Sequence, residues 1–294
     1  MPNSETQIQK KPPWLKVKLP SHKNFFYVAH LLKEKNLHTI CQSAKCPNIS
    51  YCWTAKTATF LILGDICTRN CAFCSVKKGR PQHPDRREPQ RVAEAAASMG
   101  LKYVVVTSVT RDDLLDGGAF LFVSTILTLK KRLPGVKVEV LIPDFKGKIE
   151  ALKRVIEAEP EIINHNLEVP FSLYPKINRP EKNYYRSLNI LKRSKEMGAI
   201  TKSGLMVGLG ETKDDIIQAL ADLQKVGCEL LTIGQYLQPT KFNAAVHKYY
   251  SPQEFMELKE IAFHYGFKEV EAGPLVRSSY KAHKMYESYC LQSH

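Results

Sequence analysis

The stretch Thr57–Cys74, TATFLILGDICTRNCAFC, decides the fold. Its first seven residues, Thr57–Leu63, are apolar and favour a β-strand. Cys67, Cys71 and Cys74 follow in C-x3-C-x2-C spacing, on what should be a loop at the end of that strand. Three thiols this close together form a set of soft metal ligands. We therefore expect a metal site where this strand ends.

Strand-like and helical patterns alternate along the rest of the chain. The predicted strands are residues 57–63, 102–107, 136–142, 161–164, 201–208 and 229–233, each followed by a helix, with a final strand near 268–271. The last predicted helix begins after Ser251, a good N-cap. Such an order, without hairpin signals, predicts a parallel sheet. The units are too few for a closed eight-stranded barrel of about 250 residues.

The predicted fold is therefore α/β, a partial, TIM-like (β/α)6 barrel with N- and C-terminal extensions. Unusual polar segments follow the predicted strands: GDIC, TSVTRDD, IPDF, NHNLE, GLGE and GQY. Ligands of parallel α/β folds bind at the carboxyl ends of the strands. We expect these segments to form one site.

Composition narrows the class of protein. The 294 residues carry 43 Lys and Arg against 29 Asp and Glu, a net charge of +14 that favours acidic partners. The basic residues are scattered and no nucleic-acid module is recognisable, which disfavours nucleic-acid binding.

The sequence has no export signal and no apolar window of about 18 residues, so we expect a cytoplasmic protein without a membrane partner. Six of the eight cysteines crowd into residues 41–74, which in a reducing compartment favours metal chemistry over disulfides.

The cysteines form two triads, which we call the barrel triad (Cys67, Cys71 and Cys74) and the extension triad (Cys41, Cys46 and Cys52, in C-x4-C-x5-C spacing). Either triad is compatible with zinc and a distant fourth ligand, and the barrel triad also with simple buried cysteines. A cubane iron–sulfur cluster normally takes four thiolates. A triad would leave one iron open to a small ligand.

The barrel triad, with Phe73 before its last cysteine, resembles the radical S-adenosylmethionine (SAM) superfamily. That resemblance implies a [4Fe-4S] cluster whose open iron binds SAM, with Cys67, Cys71 and Cys74 as catalytic ligands. Gly117 and Gly118 resemble the superfamily's methionine-binding motif, and Gly204, Gly208 and Glu211 its adenine-binding motif; a helix entry and a tight strand exit are the plainer interpretations. Candidates for further SAM contacts are Asn164, Asn166 and Glu168, although a hydrogen-bonded loop would explain them equally well.

The segment CQSAKCPNISYC, Cys41–Cys52, resembles the auxiliary [4Fe-4S] site of the lipoyl synthase family. PPWLKVKLP, LKYVVVTSVTRDDLLDGGA, NHNLE, TKSGLMVGLGET, LTIGQYLQP and GPLVRSSY resemble the same family in order. The resemblance implies that Ser278, first serine of RSSY, is the fourth ligand of the extension cluster. It also predicts an N-terminal extension over 1–55, a barrel over 56–272 and a C-terminal extension over 273–294.

The family's activity would be insertion of two sulfur atoms at C6 and C8 of an octanoyl chain on a carrier lysine. Two SAM molecules would be used per lipoyl group, and the auxiliary cluster would be consumed as the sulfur source. The implied partners are octanoylated carrier domains (glycine cleavage H protein or 2-oxoacid dehydrogenase E2), a ferredoxin or flavodoxin as electron donor, and a cluster-repair protein. Two alternatives stay open: a divergent paralogue with biotin-synthase-like chemistry, and a non-catalytic iron–sulfur or zinc protein.

The chain departs from the family pattern at several places, none of them a predicted cluster ligand. These are Gln42-Ser43, Tyr51, Leu115, residues 168–183 and residues 242–245. We expect both cluster sites to survive these changes. The departures put in doubt the substrate-facing wall and the docking of the carrier.

Overall fold

The computed structural model describes residues 11–17 and 19–292. One eight-stranded sheet forms the frame. Its strands are β1 (His38–Thr39), β2 (Thr59–Ile62), β5 (Tyr103–Ser108), β6 (Lys137–Leu141), β7 (Ile162–Asn164), β8 (Thr201–Val207), β9 (Leu230–Gln235) and β10 (Glu269–Gly273), and they lie side by side in this order. Every pair from β2 to β10 is parallel, and β1 pairs antiparallel with β2; the short strands β3 (Ile66–Cys67) and β4 (Lys77–Lys78) form a separate pair. The predicted partial barrel and its parallel strands are confirmed.

Ten α-helices are present in the described residues. They are α1 (Lys23–Glu34), α2 (Ile40–Ser43), α3 (Ile49–Thr54), α4 (Glu88–Met99), α5 (Ala119–Arg132), α6 (Ile149–Glu157), α7 (Lys182–Glu196), α8 (Lys213–Lys225), α9 (Pro252–His264) and α10 (Ala282–Gln292). The predicted cap of α9 is confirmed, because Ser251 accepts from the Glu254 amide while Glu254 bonds back to the Ser251 amide. Helix α4 ends at Gly100, whose positive φ of 70° suits glycine.

Buried apolar side chains form two main clusters, one in each half of the barrel. The first joins β2, β5 and β6 to α4, α5 and α6, and the second joins β8, β9 and β10 to α8 and α9. Strands covered on both faces are expected to be apolar along their whole length, as VVV in β5 illustrates. This packing holds the carboxyl ends of the strands in fixed positions.

A polar group nevertheless lies inside the barrel. Lys202 Nζ and Glu139 Oε1 are 2.9 Å apart, and both side chains are fully buried. Asn164 and Tyr103 donate to the same carboxylate, at 3.1 and 2.9 Å. A buried charge needs such partners, because an unpaired one would be very costly.

Three local features differ from the sequence prediction. Cys67 belongs to a short strand, β3 (Ile66–Cys67), rather than to a loop. Strand β3 pairs with β4 (Lys77–Lys78), which is not among the predicted strands. Strand β1 was not predicted, because two residues carry no detectable period. The segment that carries the barrel triad thus has more regular secondary structure than the sequence predicts.

The two predicted extensions pack on the barrel. Leu15 is buried, and Trp14 Nε1 donates to the Tyr250 carbonyl at 3.2 Å. Met285 of α10 packs with Ile162 and Leu230, at the starts of β7 and β9. Residues 1–10, residue 18 and residues 293–294 of the predicted extensions lie outside the described residues.

Candidate active site

Both cysteine triads and Ser278 line one cavity of about 350 Å³. The barrel triad comes from β3 and the loop after it. The extension triad comes from α2, α3 and the turn between them, and Ser278 lies in the turn after β10. Three separate segments therefore converge on one space at the carboxyl ends of the strands. Five of the six polar strand ends contribute to its lining as predicted, whereas GLGE does not.

An ion-pair network fixes the barrel triad to the sheet. Arg69, between Cys67 and Cys71, donates to Asp112 at 2.8 and 2.9 Å and to Asp144 at 2.5 and 3.1 Å. Burial opposes ionisation of Asp144, but the hydrogen bonds and charge of Arg69 outweigh it and hold the pKa of this carboxyl well below its usual range. Asp112 follows β5 and Asp144 follows β6, so the arginine ties the cysteine loop to two strand ends.

The divergent segments also support this loop. The Ala72 amide donates to the Ile177 carbonyl at 3.0 Å. Asn243 Nδ2 donates to the carbonyls of Ala72 and Cys74 at 3.1 and 3.0 Å, and the Ala244 amide donates to Ala72 at 2.9 Å. The departures at 168–183 and 242–245 therefore contact the barrel triad's loop, a consequence the sequence does not reveal.

The extension triad is held by its own segment, by the C-terminal turn and by the barrel core, in which Cys41 is buried. The Cys46 amide donates to the Cys41 carbonyl and the Cys52 amide to the Asn48 carbonyl, both at 2.9 Å. Asn48 Nδ2 donates to the Leu275 carbonyl at 2.6 Å, which joins this segment to the turn that carries Ser278. This bond and the contact between the Tyr51 and Tyr280 rings place the turn of Ser278 beside the extension triad.

Burial raises the pKa of most of these thiols. The pKa rises to about 11 for Cys41 and Cys74 and to about 12 for Cys52. Burial also raises the pKa of Cys46, although the nearby charge of Arg277 opposes it. Iron binds the thiolate form, and its positive charge offsets the cost of burying that anion. The chemistry of these cysteines therefore fits the thiolate ligands of an iron–sulfur cluster.

A chain of polar contacts runs from the barrel triad to Ser278. Arg179 Nε donates to Cys71 Sγ at 3.4 Å, and Arg179 Nη2 lies 3.9 Å from Glu168 Oε1. Burial raises the pKa of Glu168, whereas the charge of Arg179 and a hydrogen bond from Asn166 oppose that rise. Ser278 Oγ donates to Asn166 Oδ1 at 2.9 Å. The predicted SAM contacts Asn166 and Glu168 thus lie between the two predicted cluster sites.

The other predicted SAM contacts divide into two groups. Phe73 and Gly204 line the cavity together with Asn166 and Glu168. A Cβ on Gly204 would lie 2.7 Å from Asn166 Oδ1 and 3.0 Å from Ser278 Oγ, so this position admits only glycine without rearrangement.

Five predicted SAM contacts do not line the cavity, and packing or hydrogen bonds within the protein explain each of them. A Cβ on Gly117 would approach Phe145, one on Gly118 would clash with Leu63, and one on Gly208 would clash with Gln235. Glu211 accepts from the amides of Gly208 and Leu209, at 2.5 and 2.9 Å, and Asn164 bonds to Glu139. Their SAM contacts stay predictions.

Within residues 11–17 and 19–292, no group of three or more His, Cys, Asp or Glu side chains is arranged around a single metal ion. A cubane distributes its thiolates over separate irons, so its ligands lie farther apart than those of one ion. In the same described ranges, no helix is long and apolar enough to span a bilayer.

Comparison with known proteins agrees with this geometry. A sequence profile of the Radical SAM superfamily matches residues 61–223, and one of the N-terminal domain of lipoyl synthase of the Radical SAM family matches residues 1–46. The chain is similar to the crystal structure of Streptococcus suis SuiB bound to S-adenosylmethionine, with TM-score 0.56, 13% identity and coverage of 73% of this chain and 50% of that one. It is also similar to the FeFe-hydrogenase maturase HydG from Carboxydothermus hydrogenoformans, with TM-score 0.54, 14% identity and coverage of 92% and 78%. At these identities the structures establish the fold alone.

The fold and the superfamily match define a radical SAM enzyme, which uses a [4Fe-4S] cluster and SAM. A curated lipoyl synthase from Caldanaerobacter subterraneus is 54% identical over 93% of this chain and 96% of its own length. One from Rubrobacter xylanophilus is 49% identical over 94% and 87%. The chain belongs to the lipoyl synthase family.

Sequence reasoning missed several residues that shape the site. Arg69 and Arg179 were not singled out, although Arg69 lies inside the cysteine motif. Asn243 lies 169 residues from Cys74, and no periodicity connects the two. Only the folded chain shows that these side chains act on the same loop.

Proposed function

We propose that this enzyme inserts two sulfur atoms at C6 and C8 of an octanoyl chain held in amide linkage on a lysine of a lipoyl carrier domain. The observation that carries the proposal is the single cavity lined by both triads and Ser278. A site that only cleaved SAM would need one triad. The second triad, open to the same space, fits a store of sulfur within reach of the substrate.

When bound, a cluster on the barrel triad would supply the electron that cleaves SAM to a 5′-deoxyadenosyl radical, and a second cluster would supply sulfur. Cys67, Cys71 and Cys74 would hold the first cluster; Cys41, Cys46, Cys52 and Ser278 would hold the second. Two SAM molecules would be used per product, because two C–H bonds are broken. A serine oxygen is a hard ligand for soft iron, which would make this corner of the second cluster the easiest to open.

The chain's own residues would position and shield these groups. Arg69 fixes the barrel loop, and Arg179 places a partly buried positive charge beside Cys71. Asn166 holds the Ser278 hydroxyl at one side of the space.

The cavity also has an apolar wall that suits an alkyl chain and excludes water. This wall includes Leu61, Val76, Val109 and Ile142. The net charge of +14 complements acidic carriers of the glycine cleavage H protein or E2 type.

The test is anaerobic reconstitution with iron and sulfide, followed by reaction with SAM, reductant and an octanoylated carrier peptide. We expect roughly eight irons per chain, four for each cluster, release of 5′-deoxyadenosine and a peptide in which two sulfurs replace two hydrogens. Deoxyadenosine without any sulfur in the peptide would refute the lipoyl assignment and favour another aliphatic substrate. About one zinc per chain and no cleavage would refute the radical mechanism.

A further inference from the structure

A second depression, which we call the basic pocket, lies on the outer side of the barrel triad. It measures about 390 Å³, and its basic lining residues are Arg69, Lys146, Arg179, Lys182 and Arg186. Asp112 is the acidic residue among its lining residues in the described chain. Lys146 and Lys182 are exposed, whereas the three arginines are partly buried.

Cys71 separates the basic pocket from the inner cavity. It lines both spaces, as do Arg69 and Arg179, whereas Cys67 and Cys74 line the inner cavity without lining the basic pocket. A cluster held by Cys71 would therefore lie directly behind the floor of the basic pocket. Electron transfer between proteins slows steeply with distance, so this is a short path for an electron to enter.

The rim of the basic pocket has features of a docking surface. Lys182 is the first residue of α7, where the helix dipole adds positive potential. Lys146 Nζ donates to the Asp112 carbonyl at 2.7 Å, on the loop that also carries Leu115. The Leu115 side chain is 92% exposed, which offers an apolar contact beside the positive charges.

We propose that the basic pocket docks an acidic one-electron reductant protein and that Cys71 is the point at which the electron enters. The donor is oxidised by one electron per SAM, and that electron breaks the C5′–S bond to give methionine and the 5′-deoxyadenosyl radical. The inference deepens the proposed function by locating the electron donor. The octanoyl chain must reach the inner cavity, whereas an electron donor needs only the outer side of Cys71, so the pocket suits the donor better than the carrier.

The test compares two double variants of equal charge. Lys146→Glu/Lys182→Glu alters the pocket rim, and Lys23→Glu/Lys33→Glu alters two exposed lysines of α1 that do not line the pocket; each lowers the formal net charge from +14 to +10. Reduced flavodoxin is the probe. Its affinity for the reconstituted enzyme is measured by calorimetry at two salt concentrations, and deoxyadenosine release is measured with flavodoxin and with dithionite.

We expect the pocket variant to weaken flavodoxin binding by about tenfold and to lose most of the salt dependence, because opposed charges become like charges. The ratio of the rate with flavodoxin to the rate with dithionite should fall similarly, and the control should change by less than about twofold. Lys182→Glu alone, at a helix start that tolerates an acid, should show about a threefold loss and keeps the test valid if the double variant misfolds.

Equal affinities in the two double variants would overturn the proposal. So would a pocket variant that binds flavodoxin normally but loses the octanoylated carrier. These readouts do not depend on sulfur insertion. Failure of the lipoyl assignment would leave the flavodoxin result unaffected.

Discussion

The two cysteine triads have the same composition but different supports. The barrel triad is bonded through Arg69 to two strand ends and through Ala72 to residues 177 and 243. The extension triad is joined to the rest of the chain through the Asn48–Leu275 bond, through a bond from Ser75 Oγ to the Ser43 carbonyl, and through packing of Cys41 and Trp53 in the core. A cluster that must hold SAM in one geometry benefits from a rigid barrel. Under the proposed function the extension cluster gives up sulfur, so it has to be opened and rebuilt, which suits a site made from two separate segments.

The strongest test of this comparison is at Ser278. Ser278→Ala would remove the proposed fourth ligand from the extension cluster while leaving all six cysteines. We expect sulfur insertion to fall by at least about tenfold, as for other losses near a metal centre, while deoxyadenosine release falls far less. Mass spectrometry of the carrier peptide and chromatography of deoxyadenosine measure the two activities.

Ser279→Ala is the matched control, because Ser279 is the next residue and lines the same cavity. It should change both activities by less than about twofold, the range of a weak polar contact. Equal losses at 278 and 279 would show that the turn as a whole matters, rather than one hydroxyl.

A smaller effect is expected when the ion pair between Arg69 and Asp144, which supports the barrel triad, is broken. Asp144 is 3% exposed and pairs with Arg69, so Asp144→Asn would leave a mostly buried guanidinium with fewer partners. We expect the free energy of unfolding to fall by about 3 kcal/mol, as when one partner of a buried pair is removed. Because the pKa of Asp144 is lowered in the folded chain, its stabilisation is present above the unfolded pKa of about 4 and is lost as the pH falls further. In urea unfolding at a series of pH values, the free energy of unfolding of Asp144→Asn should therefore fall less at acid pH than that of the unchanged chain.

Asp65→Asn provides the control of smallest effect. Asp65 pairs with Lys77 near the same cysteines, but the Lys77 side chain is 74% exposed. An exposed pair contributes less than about 1 kcal/mol. If both variants lost the same stability, the network around Arg69 would not be the main support of the barrel triad.

The sequence predicts most of the fold because its signals are local. Helix α4 (Glu88–Met99) is an example, because Pro89 and Gly100 mark its two ends in the sequence itself. The parallel sheet follows from the alternation of strands and helices. Strands β1, β3 and β4 escape prediction because two residues cannot show a period.

The candidate site is predictable only where ligands are close in sequence. The spacing of Cys67 and Cys71 predicts that they are metal ligands, whereas only the family resemblance points to Ser278. Arg179 and Asn243 come from segments unlike the family pattern, and their contacts with Cys71 and Cys74 depend on how distant loops meet. Sequence patterns do not encode such tertiary contacts.

The division of work between the triads is tested most directly by Cys52→Ala and Cys71→Ala, reconstituted and assayed side by side for deoxyadenosine release and sulfur insertion. Cys52→Ala should keep cleaving SAM but transfer no sulfur, because only the extension cluster loses a ligand. Cys71→Ala should do neither. Loss of SAM cleavage in both variants, or sulfur insertion by Cys52→Ala, would contradict the account.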